Sequence, residues 1–174
     1  EDAEKQRRLL AIIAEDVARL DRLISDISDA SRIDAELSRA ATEAVDLAPI
    51  LAALVEIDDS TRGADDPRLV LDGPLAEGEA VVQAVADRLV QVLRNLIGNA
   101  HSFSPPRGAI TLAARADGRE VEISVQDEGP GIPEAKLESI FDRFYSERPT
   151  GERFGQHSGL GLSISRQIIT ALKG

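Results

Sequence analysis

The chain has 174 residues, 43% of them apolar, enough for one ordinary domain with an appendage and too few for two full domains. A net charge of -11 argues against a nucleic-acid partner, because phosphate backbones are gripped by lysine and arginine clusters that an acidic chain cannot spare. The lack of cysteine excludes a disulfide framework, a thiolate nucleophile and a thiolate metal site, which fits a cytosolic compartment.

Apolar residues recur at Leu10, Ile13, Val17, Leu20, Ile24 and Ile27, spacings of three and four that make a coiled-coil or bundle seam. A helix from about residue 4 to 36 would be roughly 50 Å long at 1.5 Å per residue, too long for a compact domain to enclose. Its partner is therefore expected to be another chain or a preceding segment. The periodicity stops within "AELSRAATEAVDLAP", which puts a boundary near residues 37–45. "DLAPILAALVEIDDSTRG" predicts a helix with Asp46 or Ala48 near its start and Gly63 past its end. "RLVLDG" and "AVVQAV" predict two strands joined tightly through "GPLAEGE". "DRLVQVLRNLIGNAHSF" returns to the helical period, with Leu89, Leu93, Leu96, Ala100 and Phe103 as its buried stripe.

"AITLAARADGREVEISVQD" predicts a hairpin turning at Asp117-Gly118. In its second strand Val121, Ile123 and Val125 alternate with Glu122, Ser124 and Gln126, and Asp127 shares the parity of the apolar set. Asp127 is thus expected to point inward, where an unpaired carboxylate is costly unless something hydrogen-bonds to it. A short helix from Pro133, a long loop from Tyr145 to Ser158 and a final helix "GLSISRQIITAL" complete the chain. Of the five aromatic residues, Phe103, Phe141, Phe144, Tyr145 and Phe154, four fall within residues 141–154, which sets that stretch apart. Helices and antiparallel strands in this mixture predict an α+β layer fold rather than alternating parallel units. No apolar run is long enough to span a bilayer, and "EDAEKQRRLL" lacks the basic-then-apolar order of a secretion signal, so the chain reads as soluble.

Three constellations could carry chemistry. Asn95 and Asn99 are four apart and share a helix face; they read either as solvated surface residues or as oxygen donors toward a hard cation and its water shell. The Asp127 turn, with Gly129 and Gly131, reads either as an Asp side chain bonding its own backbone or as a place where backbone approaches a ligand closely. "HSGLGLSIS" puts Gly159 and Gly161 before a helix whose free amides would face an anion, with a plain helix start as the alternative; no lysine follows as it does in a P-loop.

The order of these pieces is more specific than any one of them. The helix with "NLIGNA", the strand ending in "DEGPGIP", then "IFDRFY", a long loop and "GLGLSIS" resemble the N box, first glycine box, F box and second glycine box of sensor histidine kinases, most closely the envelope sensors of the ChvG type. "RLDRLISDISDASRIDAEL" resembles the second helix of that family's dimerisation domain. The resemblance implies an α+β fold, a two-layer α/β sandwich of the Bergerat type behind a long dimerisation helix. Residues 1–40 would be that helix, and 41–174 the catalytic ATP-binding domain, cut short at its C-terminus.

The resemblance also implies ATP and magnesium as cofactors. Asp127 would accept from the exocyclic amine of adenine, and Gly129, Gly131 and Ile132 would line the adenine side. Asn99 would hold magnesium, with Asn95 one turn earlier toward the same phosphate region. Ser158, Gly159, Leu160, Gly161 and Leu162 would close over the phosphates, and Phe141 and Phe144 would anchor the lid by packing. Related ATPases place a glutamate at the Asn95 position to activate water; an amide cannot act as that base, so transfer with little hydrolysis is expected. Ser102, counted among the nucleotide-binding positions, and Ser146 stand where many members carry a lysine and an arginine; Arg148, Arg153 or His157 of the loop would either compensate for those charges or read as solvated loop residues.

The family's phosphoacceptor histidine lies on the first dimerisation helix, and neither His101 nor His157 has that context. The expectation is therefore a histidine-kinase fragment without a catalytic acceptor of its own. It would pass the γ-phosphoryl group to a histidine-bearing helix outside this chain, for relay to a response regulator. The intact protein would be a homodimer anchored in the inner membrane, with this part in the cytoplasm. Two rivals are a non-enzymatic ATP-sensing or dimerisation module and an anti-sigma-type serine kinase; the long seam helix argues against the second.

Overall fold

The computed structural model describes residues 40–73, 75–145 and 159–174 and, nearer the N-terminus, residues 4–10, 12–14, 16, 17, 20, 21, 24, 27 and 28. Those N-terminal positions are helical, and the six seam residues are exposed, from 48% at Ile27 to 64% at Ile24. Residues 29–39, which hold the predicted end of the rod and the start of the boundary segment, lie outside the described residues.

Strand β1 (Glu43–Asp46) runs directly into helix α1 (Leu47–Thr61). Asp46 makes this junction: its Oδ1 accepts from the Ala48 amide at 3.1 Å as an N-cap, and its Oδ2 accepts from the Gly78 amide at 2.7 Å. One carboxylate thus starts α1 and fixes the turn before β3 (Val81–Ala84), which pairs antiparallel with β1. A second, three-stranded sheet has the order β2 (Arg68–Leu71), β4 (Ala109–Asp117), β5 (Glu120–Gln126). Between β3 and β4 runs helix α2 (Ala86–Phe103), and helix α3 (Gly161–Ala171) packs against α2.

The α+β expectation holds, with helices covering one face of the three-stranded sheet. Leu47 and Leu51 of α1, Leu89, Leu93, Ile97 and Ala100 of α2, Leu69 of β2, and Ile110 and Leu112 of β4 share one core. In β5 the odd residues are half-buried and the even ones exposed, as the alternation predicts for a sheet wet on its other side. A second, smaller core joins Val92 of α2 to Leu160, Ile164 and Ile168.

Three expectations change. The two strands "RLVL" and "VVQA" do not pair with each other; β2 instead pairs parallel with β4, a geometry that needs a long crossover, here β3 and α2. The hairpin turns one residue later than predicted, because Asp117 faces Glu120 and leaves Gly118-Arg119 as the loop, with Gly118 at φ 62° in its first position. On α2 the buried residues are Leu89, Val92, Leu93, Ile97 and Ala100, while Leu96 and Phe103 are half-buried. The stripe is rotated because α2 packs on two partners, the sheet and α3, and not on one.

Candidate functional site

Helix α2 is the spine on which the sequence-singled residues gather. Asn95 and Asn99 are both half-buried, but their amides have different surroundings. Asn95 Nδ2 donates to the Gly161 carbonyl at 3.1 Å and to Ser165 Oγ at 3.3 Å, so it binds the first turn of α3. The Asn99 side chain makes no hydrogen bond among the described residues. One turn on, Ser102 Oγ donates back to the Gly98 carbonyl at 3.0 Å.

The expectation for Asp127 is corrected. Strand β5 ends at Gln126, so strand parity no longer governs the next residue, and the Asp127 side chain is exposed, not inward. Its Oδ1 accepts from the Gly129 amide at 2.7 Å, an Asx turn, while Oδ2 accepts from no described residue. Two contacts hold this turn in place. Glu128 Oε2 accepts from the Ala109 amide at 3.1 Å, tying it to the start of β4. Gly129 lies so close to the end of α2 that a Cβ would come within 2.8 Å of the Phe103 carbonyl oxygen and 2.6 Å of Asp127 Oδ1. Only glycine fits there, and that fit brings the first glycine box against the N-box helix. Gly131, at φ 72°, and Ile132, 49% exposed, follow on the open side of the turn.

Gly159, at φ 70°, abuts the F-box end in the same manner. The Phe144 amide donates to its carbonyl at 3.0 Å, and a Cβ would sit 2.8 Å from the Tyr145 carbonyl oxygen. Leu160 is 1% exposed and packs in the smaller core, so only its main chain can meet a ligand; Gly161 and Leu162 are half-buried in the first turn of α3. The Arg166 guanidinium lies 5.2 Å over the Phe141 ring and 3.4 Å from Glu138, which fixes the F-box turn to α3. Phe144, by contrast, is 62% exposed with φ 66° and does not pack as expected. Ser158, together with Ser146, Arg148, Arg153, Phe154 and His157, lies outside the described residues.

Both glycine boxes therefore meet α2, the first at its end through Phe103 and Gly129 and the second at its middle through Asn95 and Gly161, while the F box joins the second glycine box and α3 through Gly159 and Arg166. The arrangement offers acceptor oxygens on one side and the amides of the α3 N-terminus on the other, a pairing suited to a base at one end and an anion at the other. Sequence reasoning missed Glu128 and Ser165. Glu128 carried no signal, since a glutamate in a turn is ordinarily solvated. Ser165 carried one: it interrupts the apolar face formed by Ile164 and Ile168.

Comparison with known proteins follows the same lines. The family described as histidine kinase-, DNA gyrase B- and HSP90-like ATPase matches residues 84–174, just over half of the chain. The sensor protein ChvG of Rhizobium meliloti (strain 1021) is 48% identical over 98% of this chain, and that of Agrobacterium fabrum 46% identical over 98%. The chain spans 30% of the length of each of these relatives. Among solved structures, the nucleotide-free catalytic domain of histidine kinase ThkA is 28% identical with a TM-score of 0.59, covering 75% of this chain and 80% of that one. Acinetobacter baumannii histidine kinase AdeS, at 23% identity, shares the fold with a TM-score of 0.65 over 94% of this chain and 73% of its own. From residue 84 onward the match takes in α2, both glycine boxes and the F box, and the chain belongs to the histidine kinase-, DNA gyrase B- and HSP90-like ATPase family.

Proposed function

We propose that this chain is the ATP-binding catalytic fragment of a sensor histidine kinase, holding Mg-ATP so that its γ-phosphoryl group passes to a histidine on a helix outside the chain. The observation that carries the reading is the pair of acceptors that no described residue engages, Asp127 Oδ2 and the Asn99 carbonyl, on segments locked together by the fit of Gly129 against Phe103. A carboxylate oxygen suits the exocyclic amine of adenine. An amide oxygen suits a hard cation, and magnesium takes most of its remaining ligands from phosphate and water. The α3 N-terminus supplies amides for the phosphates. Catalysis by such a domain rests on positioning and charge neutralisation, with no covalent step of its own.

Asn95 cannot serve as a base for water, so transfer is favoured over hydrolysis. The exposed seam from Leu10 to Ile27 fits a dimerisation helix awaiting its partners, with residues 1–40 and 41–174 as the two units. In the intact protein we place a homodimer anchored in the inner membrane, signalling to a response regulator from the cytoplasmic side. No described helix is long and apolar enough to cross a membrane.

A second reading, a non-enzymatic ATP-sensing module, is favoured by Ser102, whose hydroxyl donates to Gly98 where a cation would otherwise help neutralise phosphate. Incubation with radiolabelled ATP and a separate fragment carrying the histidine helix separates the two. Label on the fragment and none on this chain supports the kinase; nucleotide binding without transfer supports the module.

A further inference from the structure

Ser165 is the only buried polar residue among those described, at 4% exposure. It sits on the face of α3 that carries Ile164 and Ile168, where an alanine or valine would pack without any polar obligation. Both capacities of its hydroxyl are used: Oγ donates to the Gly161 carbonyl at 2.8 Å and accepts from Asn95 Nδ2 at 3.3 Å. The same Nδ2 donates to the Gly161 carbonyl at 3.1 Å, which closes a triangle of three polar groups between α2 and α3.

The triangle fixes more than a helix contact. A carbonyl oxygen can only accept, so chemistry decides which end of the Asn95 amide faces Gly161: the nitrogen does, and Oδ1 is turned the other way. Without the serine, the amide has one partner instead of two, and its rotation about the terminal torsion, broad and roughly two-fold, is held far less firmly. We infer that Ser165 is a positioning residue for the phosphate end of the nucleotide site. As the second partner of Nδ2 it holds the amide in the orientation that the Gly161 carbonyl selects, with Oδ1 as the atom that Asn95 offers to the water shell of magnesium, and it sets the first turn of α3 at a fixed height against α2.

The inference rests on the nucleotide reading above, and a comparison of ligands separates the two. Mg-ATP and adenosine are titrated separately into the unsubstituted chain and into Ser165→Ala, by calorimetry or NMR. Because the hydroxyl acts at the phosphate end, Ser165→Ala is expected to weaken Mg-ATP roughly three- to tenfold, the effect of losing one or two hydrogen bonds, and to leave adenosine within about twofold. Asn95→Ala made on top of Ser165→Ala is expected to weaken Mg-ATP less than Asn95→Ala alone, since the pair acts as a unit. Ser165→Cys, which preserves volume and bonds weakly, gives the same pattern should the alanine chain melt early. Equal weakening of both ligands, or of neither, overturns the inference and leaves the nucleotide reading standing. Failure of the unsubstituted chain to bind Mg-ATP sinks both.

Discussion

His101 Nε2 lies 2.6 Å from Asp58 Oδ1, joining the last turn of α2 to α1. The other oxygen of Asp58 accepts from the Leu69 amide of β2 at 3.3 Å, so one carboxylate touches three elements of the main core. Both side chains are largely shielded, with 25% of His101 and 12% of Asp58 exposed. Asp58→Ala strands two donors at once and is expected to destabilise the fold by about 1–3 kcal/mol. Asp58→Asn, which still accepts from Leu69, should lose less. Urea unfolding of the two variants checks the order; equal stability of Asp58→Ala and the unsubstituted chain would show the contact to be idle.

Gly129→Ala places a methyl group 2.8 Å from a backbone oxygen that cannot swing aside, because Phe103 closes the helix that carries Asn99. The turn or the helix end must shift, at about 1–3 kcal/mol, an amount typical of overpacking. The expected result is a lower melting temperature together with weaker binding of adenosine, since the displaced turn is the one we assign to adenine. Retained affinity would mean that the turn does not form part of the site.

Gly159→Ala combines a positive φ with a contact of 2.8 Å to the Tyr145 carbonyl oxygen, so the hydrogen bond from the Phe144 amide to Gly159 is expected to break. This contact lies at the second glycine box, so Mg-ATP affinity should fall further than adenosine affinity. A calorimetric titration of both ligands distinguishes this from the Gly129 case, where adenosine suffers.

Much of the architecture was legible in the residues because it rests on local signals. Asp46 begins α1 as a capping residue does, Gly118 lies in the hairpin loop, and the odd residues of β5 turn to the core. What stayed hidden depends on distant partners. Nothing in "RLVL" says that it will lie parallel to β4, and the pairing of β1 with β3 spans the whole of α1 and β2. Alternation projected Asp127 inward because it was extended one residue past the end of the strand, where the Asx turn takes over. The two asparagines of α2 look alike in sequence, and only the approach of α3 makes one a clamp while the other bonds to no described residue.

Asp127→Asn tests the central proposal most directly, because its two oxygens have separable tasks. An asparagine can keep the acceptor for the Gly129 amide, so the turn and the melting temperature should be preserved, while the second acceptor becomes a donor facing the amine of adenine. Titration of Mg-ATP into this variant is predicted to show at least a roughly tenfold loss of affinity, as expected when a charge-assisted hydrogen bond is replaced by a clash of donors. Affinity equal to that of the unsubstituted chain, with the fold intact, would contradict the assignment of Asp127 to adenine.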